Sequence, residues 1–195
     1  KNEELDIIGA VPPDQIAIVK EMENVDFKEV VGYTINGLVM RTNQPPFDDL
    51  KVRQAVCHAI NLEEMTKTLV GDTGIQSRNT TVPPDMPGSA SAELSPVPYD
   101  LEKAKALMAE SSMPDGFATK LYVVAPNDIW VPQAIAVQEA LQAINIEVEV
   151  VQMPYADMIT LQQSGEHDGL MSFQWGSDFP DAAGNLNPLF LSSNF

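Results

Sequence analysis

The sequence is poor in the residues on which metal sites and disulfide-linked proteins depend. Its 195 residues include one cysteine, Cys57, and two histidines, His58 and His167. A single cysteine excludes an internal disulfide and a thiol-based metal cluster. The two histidines are far apart in the sequence, and neither has ligand spacing with Cys, Asp or Glu. The sequence therefore predicts no bound metal, and Cys57, beside an apolar helical stripe, is expected to be a small buried thiol.

Positive charge is also scarce. The chain has 28 acidic and 11 basic residues and a formal net charge of −17. Nucleic acids and anionic membranes attract proteins through positive patches, so we expect neither as a partner. No window of 18 apolar residues is present, which argues against a membrane-spanning helix. Residues 1–4 lack a signal-peptide core, and the abrupt end at residues 191–195 suggests a piece of something longer.

Residues 119–175 carry the most regular pattern, which predicts a βαβαβ unit. The predicted elements are strand 119–125, helix 132–144, strand 146–152, helix 155–163 and strand 169–175. Strands joined by crossover helices run parallel. The loops after the first and third strands, 126–131 and 176–187, are therefore expected at the same edge of the sheet. Gly184 and other breaker residues are expected to keep the second loop free of regular structure.

The first half of the chain is predicted to be mainly helical. The predicted elements are helix 14–22, strand 30–40, helices 50–60, 62–70 and 101–111, and a long irregular loop at 71–99. Asp48 or Asp49, Asn61 and Asp100 stand where side chains cap the first backbone N–H groups of a helix. The composition, 44% hydrophobic and 20% charged, is that of an ordinary globular protein, and the length has room for one domain, with or without an appendage.

A polar cluster follows the last predicted strand and contains Trp175, Ser177, Asp178 and Asp181. One interpretation is a ligand site, because open α/β sheets bind ligands at the carboxyl ends of their strands. The other is a surface turn, in which Ser and Asp cap backbone groups while Trp175 fills the core. The nine residues 173–181 alone do not separate the two.

Four segments, in order along the chain, carry a family pattern. They are Asn43 with Pro-Phe-Asp-Asp at 46–49 and Val-Arg-Gln-Ala at 52–55, then Ala-Ile-Asn at 59–61, then Tyr-Asp-Leu-Glu-Lys-Ala-Lys-Ala-Leu at 99–107, and finally Trp-Gly-Ser-Asp-Phe-Pro-Asp at 175–181 with Pro-Leu-Phe at 188–190. Together they resemble the family 5 extracellular solute-binding proteins, which serve peptide, nickel and related ABC importers. Leu101 departs from the pattern, since the family has Pro there.

The resemblance implies a fold, a place in a larger protein and a function. We expect an α/β lobe like those of type II periplasmic binding proteins, with a mixed sheet whose βαβαβ core is flanked by helices. Residues 1–195 are expected to form a truncated second (C-terminal) ligand-binding lobe, which the chain enters on the hinge side through residues 1–30. Ligand would bind in the cleft between this lobe and a missing one.

The implied function is that of the substrate-binding component of an ABC importer for oligopeptides or a related small solute. Such a protein would be periplasmic or anchored at the cell surface as a lipoprotein, monomeric, and partnered by the permease subunits. Neither a cofactor nor catalysis is expected. Alternatives are a sugar, opine or nickel-chelate binder of the same family, and the ligand-sensing domain of a regulator.

The resemblance also implies site residues. In peptide-binding members the Asp after the Trp-Gly pair meets the α-amino group of the ligand, which points to Asp178. Trp175 would be a flat wall beside it. Ser177 and Phe179 flank the anchor, and Asp181 is expected to cap backbone N–H groups.

The other predicted cleft residues are Asn127 and Trp130, in the loop after the first strand of the βαβαβ unit. Some dipeptide binders have a basic residue in this loop for the ligand carboxylate, but residues 126–130 contain no Lys or Arg. This departure leaves longer peptides, opines, oligosaccharides or another cationic solute open. Trp130 is equally expected to pack on the core at a helix start.

An enzyme is the least supported class. Asp178 and Asp181 are a pair of carboxylates, which is the minimum that glycoside hydrolysis requires. No Gly-x-Ser-x-Gly, phosphate-binding Gly loop or His-Glu-x-x-His accompanies them. We therefore expect recognition, not catalysis.

Overall fold

The computed structural model describes five stretches of the chain. They are residues 6–9, 11–30, 32–71, 74–75 and 80–191. Parts of three predicted segments lie outside the described residues: the hinge-side segment 1–30, the strand 30–40 and the loop 71–99.

Seven helices and four strands make up the described fold. The helices are α1 (Ile16–Lys20), α2 (Leu50–Ala59), α3 (Leu62–Val70), α4 (Leu101–Ala109), α5 (Trp130–Gln142), α6 (Tyr155–Ser164) and α7 (Ala183–Phe190). The strands are β1 (Thr34–Met40), β2 (Phe117–Val124), β3 (Ile146–Met153) and β4 (Gly169–Gly176). Short 3-10 turns precede α1 at Pro13–Gln15 and α4 at Ser91–Glu93.

The four strands form one mixed sheet in the order β1-β4-β2-β3. β2 runs parallel to both β3 and β4, whereas β1 is antiparallel to β4. The α/β class and the βαβαβ unit are thereby confirmed. The carboxyl ends of β2, β3 and β4 meet at one edge of the sheet, which we call the carboxyl edge. The first residue of β1, Thr34, lies there as well because it pairs with Gly176.

Alternation along the strands separates two apolar faces. Leu121 and Leu170 are opposite each other in the sheet and belong to the main core, which α2, α4 and α5 cover. Tyr122 and Met171 are the next pair along and point to the other face, where Met158 of α6 packs on them. The period of two in a strand accounts for this division.

Side-chain caps begin three helices, as the sequence predicts. Asp49 accepts a hydrogen bond from the backbone N–H of Lys51, Asn61 one from Glu64, and Asp100 one from Lys103. Asp49 also accepts one from the backbone N–H of Ser112 at 2.6 Å. These hydrogen bonds hold the pKa of the Asp49 carboxyl below its usual range.

Helix α7 corrects the prediction that residues 176–187 lack regular structure. It spans Ala183–Phe190 although it contains Gly184 and Pro188. The first helix is shorter than the predicted 14–22, since only Ile16–Lys20 is α-helical. None of its residues is buried, so no packing stabilises further turns.

Candidate functional site

Two loops meet at the carboxyl edge. Residues 125–129 follow β2 and residues 177–182 follow β4. Because β2 and β4 are parallel neighbours, the two loops open on the same edge, as predicted from the sequence. The predicted site residues Asn127 and Trp130 belong to the first loop and the helix after it. Trp175, Ser177, Asp178 and Phe179 belong to the end of β4 and the second loop.

Asn127 caps the turn that leads into helix α5. Its Oδ1 atom accepts hydrogen bonds from the backbone N–H groups of Ile129 at 2.9 Å and Trp130 at 2.7 Å. The indole of Trp130 is half-buried and packs against the main core. The amide oxygen of Asn127 is thus engaged by the helix. Its Nδ2 atom has no hydrogen-bond partner in the part of the chain that the structure describes.

Trp175 joins β4 to α7. Its indole Nε1–H donates to the backbone carbonyl oxygen of Gly184 at 3.0 Å. In a regular helix that carbonyl would accept from the N–H of residue 188, but Pro188 has none. A Cβ atom on Gly184 would lie 1.9 Å from Ser177 Oγ, so only glycine allows this close approach without a shift.

The loop between β4 and α7 is held by its own polar groups. Ser177 Oγ donates to the carbonyl oxygen of Phe179 at 2.6 Å, and the Ser177 N–H donates to that of Tyr33 at 3.4 Å. Asp181 Oδ1 accepts from the N–H of Ala183 at 2.8 Å. The predicted capping role of Asp181 is therefore confirmed.

Asp178 differs from its neighbours because its carboxylate is free. Its side chain is exposed, and among the described residues no hydrogen-bond donor or cation pairs with it. Phe179, the next residue, is 51% exposed. Neither loop contains Lys or Arg. Asp128, in the loop after β2, is exposed and likewise has no partner among the described residues. The edge thus presents uncompensated negative charge, and at Asp178 that charge lies beside an exposed aromatic ring, which suits an ammonium group attached to an apolar body.

The long loop before α4 is hydrogen-bonded to α7 and to the residue that precedes it. Asn185 Nδ2 donates to the carbonyl oxygen of Thr81 at 2.5 Å, and the N–H of Ala182 donates to that of Pro87 at 3.1 Å. Asn185 is fully buried. Sequence reasoning missed these residues because the contact joins positions 104 apart. For the Trp175 contact, in contrast, Pro188 was an available signal, because a proline within a helix leaves the carbonyl four residues earlier without its usual donor.

The opposite edge of the sheet has a groove whose Lys120, Asp168 and Arg41 side chains are engaged with other parts of the fold, while Glu147 and Glu149 at its rim are exposed. Lys120 Nζ lies 3.0 Å from Asp168 Oδ2, and Tyr122 OH donates to the same carboxylate. Burial raises the pKa of Tyr122, and the hydrogen bond from Tyr122 lowers the pKa of Asp168. Arg41 donates to the carbonyl oxygens of Gly165 and His167. Each of these groups serves another part of the fold, so the carboxyl edge is the better candidate site.

Two further features bear on the class of protein. Within the described ranges, no three His, Cys, Asp or Glu side chains are grouped so as to hold a metal ion. No described helix combines the length and apolar character needed to cross a membrane.

Comparison with known proteins gives a consistent result. The family model described as bacterial extracellular solute-binding proteins, family 5 Middle, matches residues 1–195. The dipeptide-binding protein of Escherichia coli (strain K12) is 28% identical over 182 residues, covering 91% of this chain and 34% of the relative. Heme-binding protein A of Haemophilus influenzae is 30% identical over 183 residues, covering 92% and 33%.

A solved structure shows the same fold. It is the periplasmic binding protein DppA from Helicobacter pylori in complex with peptide STSA, with a TM-score of 0.80 and 23% identity. The match covers 91% of this chain and 34% of that one. The chain thus spans about a third of the length of these relatives.

Proposed function

This chain belongs to the bacterial extracellular solute-binding proteins of family 5, and from this membership we propose that it is part of the substrate-binding component of an ABC importer. The solute is an oligopeptide or a related small molecule that carries an amine. The Escherichia coli relative is named for dipeptides and the Haemophilus influenzae relative for heme, so membership alone does not choose the solute. The geometry of the candidate site favours a solute that carries an ammonium group.

The free carboxylate of Asp178 is the observation that carries the proposal. A carboxylate without a partner at the carboxyl edge costs little while it is in water, and it gains a strong partner when an ammonium group arrives. A hydrogen bond to a charged group contributes about 1.5–3 kcal/mol, and its contribution is larger where water is excluded from the site. Asp178 is the ammonium anchor in this proposal.

The other predicted site residues surround the anchor. Phe179 and the ring of Trp175 offer apolar surface to the body of the ligand, and Ser177 shapes the turn that presents Asp178. Across the edge, Asn127 keeps its Nδ2 atom free to donate to a ligand carbonyl, and Trp130 flanks it.

A second part of a longer protein completes the cleft in this proposal. Residues 1–195 form one lobe, the second (C-terminal) one, and residues 1–30 lead into it from the hinge. Two observations support this arrangement. Ile7 and Val30 in the leading segment are 86% and 84% exposed, and the chain enters the sheet beside Ser177, where Tyr33 accepts a hydrogen bond from it. Ligand then stabilises the closed arrangement through its higher affinity for it.

The lack of a cation near Asp178 bears on ligand length. Loops 125–129 and 177–182 have no Lys or Arg to meet a carboxylate close to the bound ammonium. In a dipeptide the two charged ends are close together, whereas in a tetrapeptide they are well separated. We therefore favour longer peptides, or cationic solutes without a carboxylate, over dipeptides.

Family membership supports the cellular setting of this proposal. In this proposal the protein acts outside the cytoplasm, in the periplasm or attached to the cell surface, with ABC permease subunits as its partners. The full-length protein acts as a monomer, and it binds its solute without changing it chemically.

The test is calorimetry on the full-length protein that contains this chain, with the peptide Ser-Thr-Ser-Ala, its N-acetylated form and the dipeptide Met-Leu. Asp178→Asn is expected to weaken binding of the free-amine tetrapeptide by about 10-fold or more, and to leave the acetylated peptide unaffected. Asp181→Ala, the matched control, is expected to lower stability through the lost cap and to affect both peptides alike. Equal affinity of wild type and Asp178→Asn for the free-amine peptide contradicts the proposed anchor.

A further inference from the structure

We propose that Trp175 is a positioning residue whose indole N–H replaces the backbone N–H that Pro188 lacks, and thereby holds α7 and the Asp178 loop in place. The proposal concerns how the candidate site is built. It rests on the proposed function only for its effect on ligand affinity.

The first step is the missing donor in α7. The helix spans Ala183–Phe190, and a residue at 188 would normally donate its N–H to the carbonyl oxygen of Gly184. Proline has no N–H to donate. Gly184 is buried, so its carbonyl is not exposed to water, and an unpaired buried carbonyl is destabilising. Trp175 Nε1, which lies 3.0 Å from that oxygen, supplies the donor that the carbonyl would otherwise lack.

The second step is the close contact at the same residue. A Cβ on Gly184 would lie 1.9 Å from Ser177 Oγ and 3.5 Å from Phe179 Cε2. The end of β4, the turn after it and the first turn of α7 therefore meet at Gly184. Residues 177–182 form a loop whose start and end are held together at this point, and Asp178 lies within that loop. The indole hydrogen bond consequently helps to set the position of the Asp178 carboxylate.

A double-mutant cycle between Trp175 and Pro188 tests the replacement directly. Trp175→Phe removes the indole N–H, and Pro188→Ala supplies a backbone N–H for the Gly184 carbonyl. Hydrogen exchange is measured at the backbone N–H groups of Ala182, Asn185 and Leu186, all of which are hydrogen-bonded. Trp175→Phe is expected to speed their exchange by about three- to tenfold when Pro188 is present, but by less than about twofold in the Pro188→Ala background.

Two outcomes of the cycle would overturn the proposal. If Trp175→Phe speeds exchange equally in both backgrounds, the ring acts by packing alone and the proposal is wrong. If it speeds exchange in neither, the hydrogen bond does not hold α7 and the proposal is also wrong. Trp130→Phe is the matched control, because its indole N–H has no partner among the described residues, and it should leave these three N–H groups unchanged.

A second variant guards against loss of folding in Trp175→Phe. Benzothienylalanine at position 175 keeps the bicyclic ring and has a sulfur atom in place of the N–H, so it removes the hydrogen-bond donor while keeping the apolar surface. It is expected to reproduce the accelerated exchange when Pro188 is present. Unchanged exchange with this residue overturns the proposal.

Affinity for Ser-Thr-Ser-Ala in the full-length protein gives a readout that a purely structural role would not move. Trp175→Phe should weaken binding more when Pro188 is present than in the Pro188→Ala background, because only the first background leaves the Asp178 loop loosely held. Loss of the ring's own contact with the ligand weakens binding equally in both, so the difference between the backgrounds reports the positioning role. If the peptide does not bind the wild type, it is not a solute of this protein, and the exchange cycle still decides the role of Trp175.

Discussion

Asn127 accepts a hydrogen bond from the backbone N–H of Trp130 at 2.7 Å. Both residues are predicted from the sequence to line a cleft. Their hydrogen bond shows that Asn127 also stabilises the start of the helix that contains Trp130. The same side-chain oxygen also accepts from the N–H of Ile129 at 2.9 Å. Since no described residue accepts from its amide nitrogen, Asn127 can cap the turn before α5 and still have a donor to offer.

Two substitutions of Asn127 therefore separate the role of its oxygen as a cap from the role of its Nδ2 atom as a donor. Asn127→Ala removes the cap and is expected to lower the free energy of unfolding by about 1 kcal/mol. Asn127→Asp keeps a capping oxygen, replaces the Nδ2 donor by a second oxygen and adds a negative charge near a helix start, where such a charge is favourable, so its stability should stay close to wild type. Urea unfolding measures both. An alanine variant as stable as wild type contradicts the capping role.

The second half of the chain was predictable because its signals are local. The spacing of apolar residues, and the Gly, Pro and Asp residues between elements, predicted the bounds of five elements to within about two residues of those observed. These elements are β2, α5, β3, α6 and β4. Their parallel direction, and hence the meeting of the two loops, follows from the crossover helices. The capping roles of Asp49, Asn61, Asp100 and Asp181 were equally readable, because a cap depends on residues two or three positions away.

Helix α7 was not predictable in this way because its stabilising contacts are distant. Gly184 and Pro188 are poor helix residues by propensity. Trp175 compensates for Pro188, and Thr81 holds Asn185 from the loop before α4. The antiparallel pairing of β1 with β4 also joins residues far apart in sequence. Whether Asp178 was free or paired could likewise be read only from the folded chain.

The contact between Gly184 and Ser177 leads to a second prediction. A methyl group at position 184 would overlap Ser177 Oγ, so Gly184→Ala is expected to destabilise the fold by about 1–3 kcal/mol. In the double variant Ser177→Ala/Gly184→Ala the nearest distance is that to the Ser177 Cβ, 3.1 Å, so about half or more of the loss should be recovered.

Gly37→Ala is the matched control for this substitution, because a Cβ there meets nothing within 4 Å. It should be neutral or slightly stabilising, since it reduces the freedom of the unfolded chain. Thermal and urea unfolding of the four proteins check the comparison. Equal stability of the single and double variants at 184 contradicts the close contact.

The group formed by Tyr122, Asp168 and Lys120 predicts a pH effect at acid pH. The hydrogen bond from Tyr122, and then that from Lys120, holds the pKa of Asp168 below its ordinary 3.8. The stabilisation is therefore present above pH 3.8 and is lost as the pH falls through the folded-state pKa. Tyr122→Phe should be less stable than wild type at neutral pH, by about 1 kcal/mol or less because Asp168 is exposed to solvent.

The difference between Tyr122→Phe and wild type should shrink as the pH is lowered to about 2. Unfolding in urea at a series of pH values measures it. A constant difference across that range indicates that the phenol contributes packing alone, contrary to the hydrogen bond described.

His167 predicts a pH effect nearer neutrality. Its side chain is 7% exposed, and neither ring nitrogen has a hydrogen-bond partner in the part of the chain that the structure describes. Burial, and then the nearby Arg41 charge, lowers the pKa of His167 below 6.5, with Asp168 opposing the shift. Below pH 6.5 the unfolded chain therefore takes up a proton that the folded chain resists, so this residue makes the fold less stable as the pH falls from 6.5 through the folded-state pKa.

Replacing His167 by an apolar ring should remove that dependence. His167→Phe keeps the planar shape and has no nitrogen to desolvate, so it is expected to be at least as stable as wild type at pH 7. Its advantage should grow as the pH is lowered to 5, because only the wild type then has a buried imidazole opposing protonation. Urea unfolding of both proteins at pH 7, 6 and 5 gives the comparison. Unfolding free energies that run parallel over this range would show that the imidazole is not held neutral by burial.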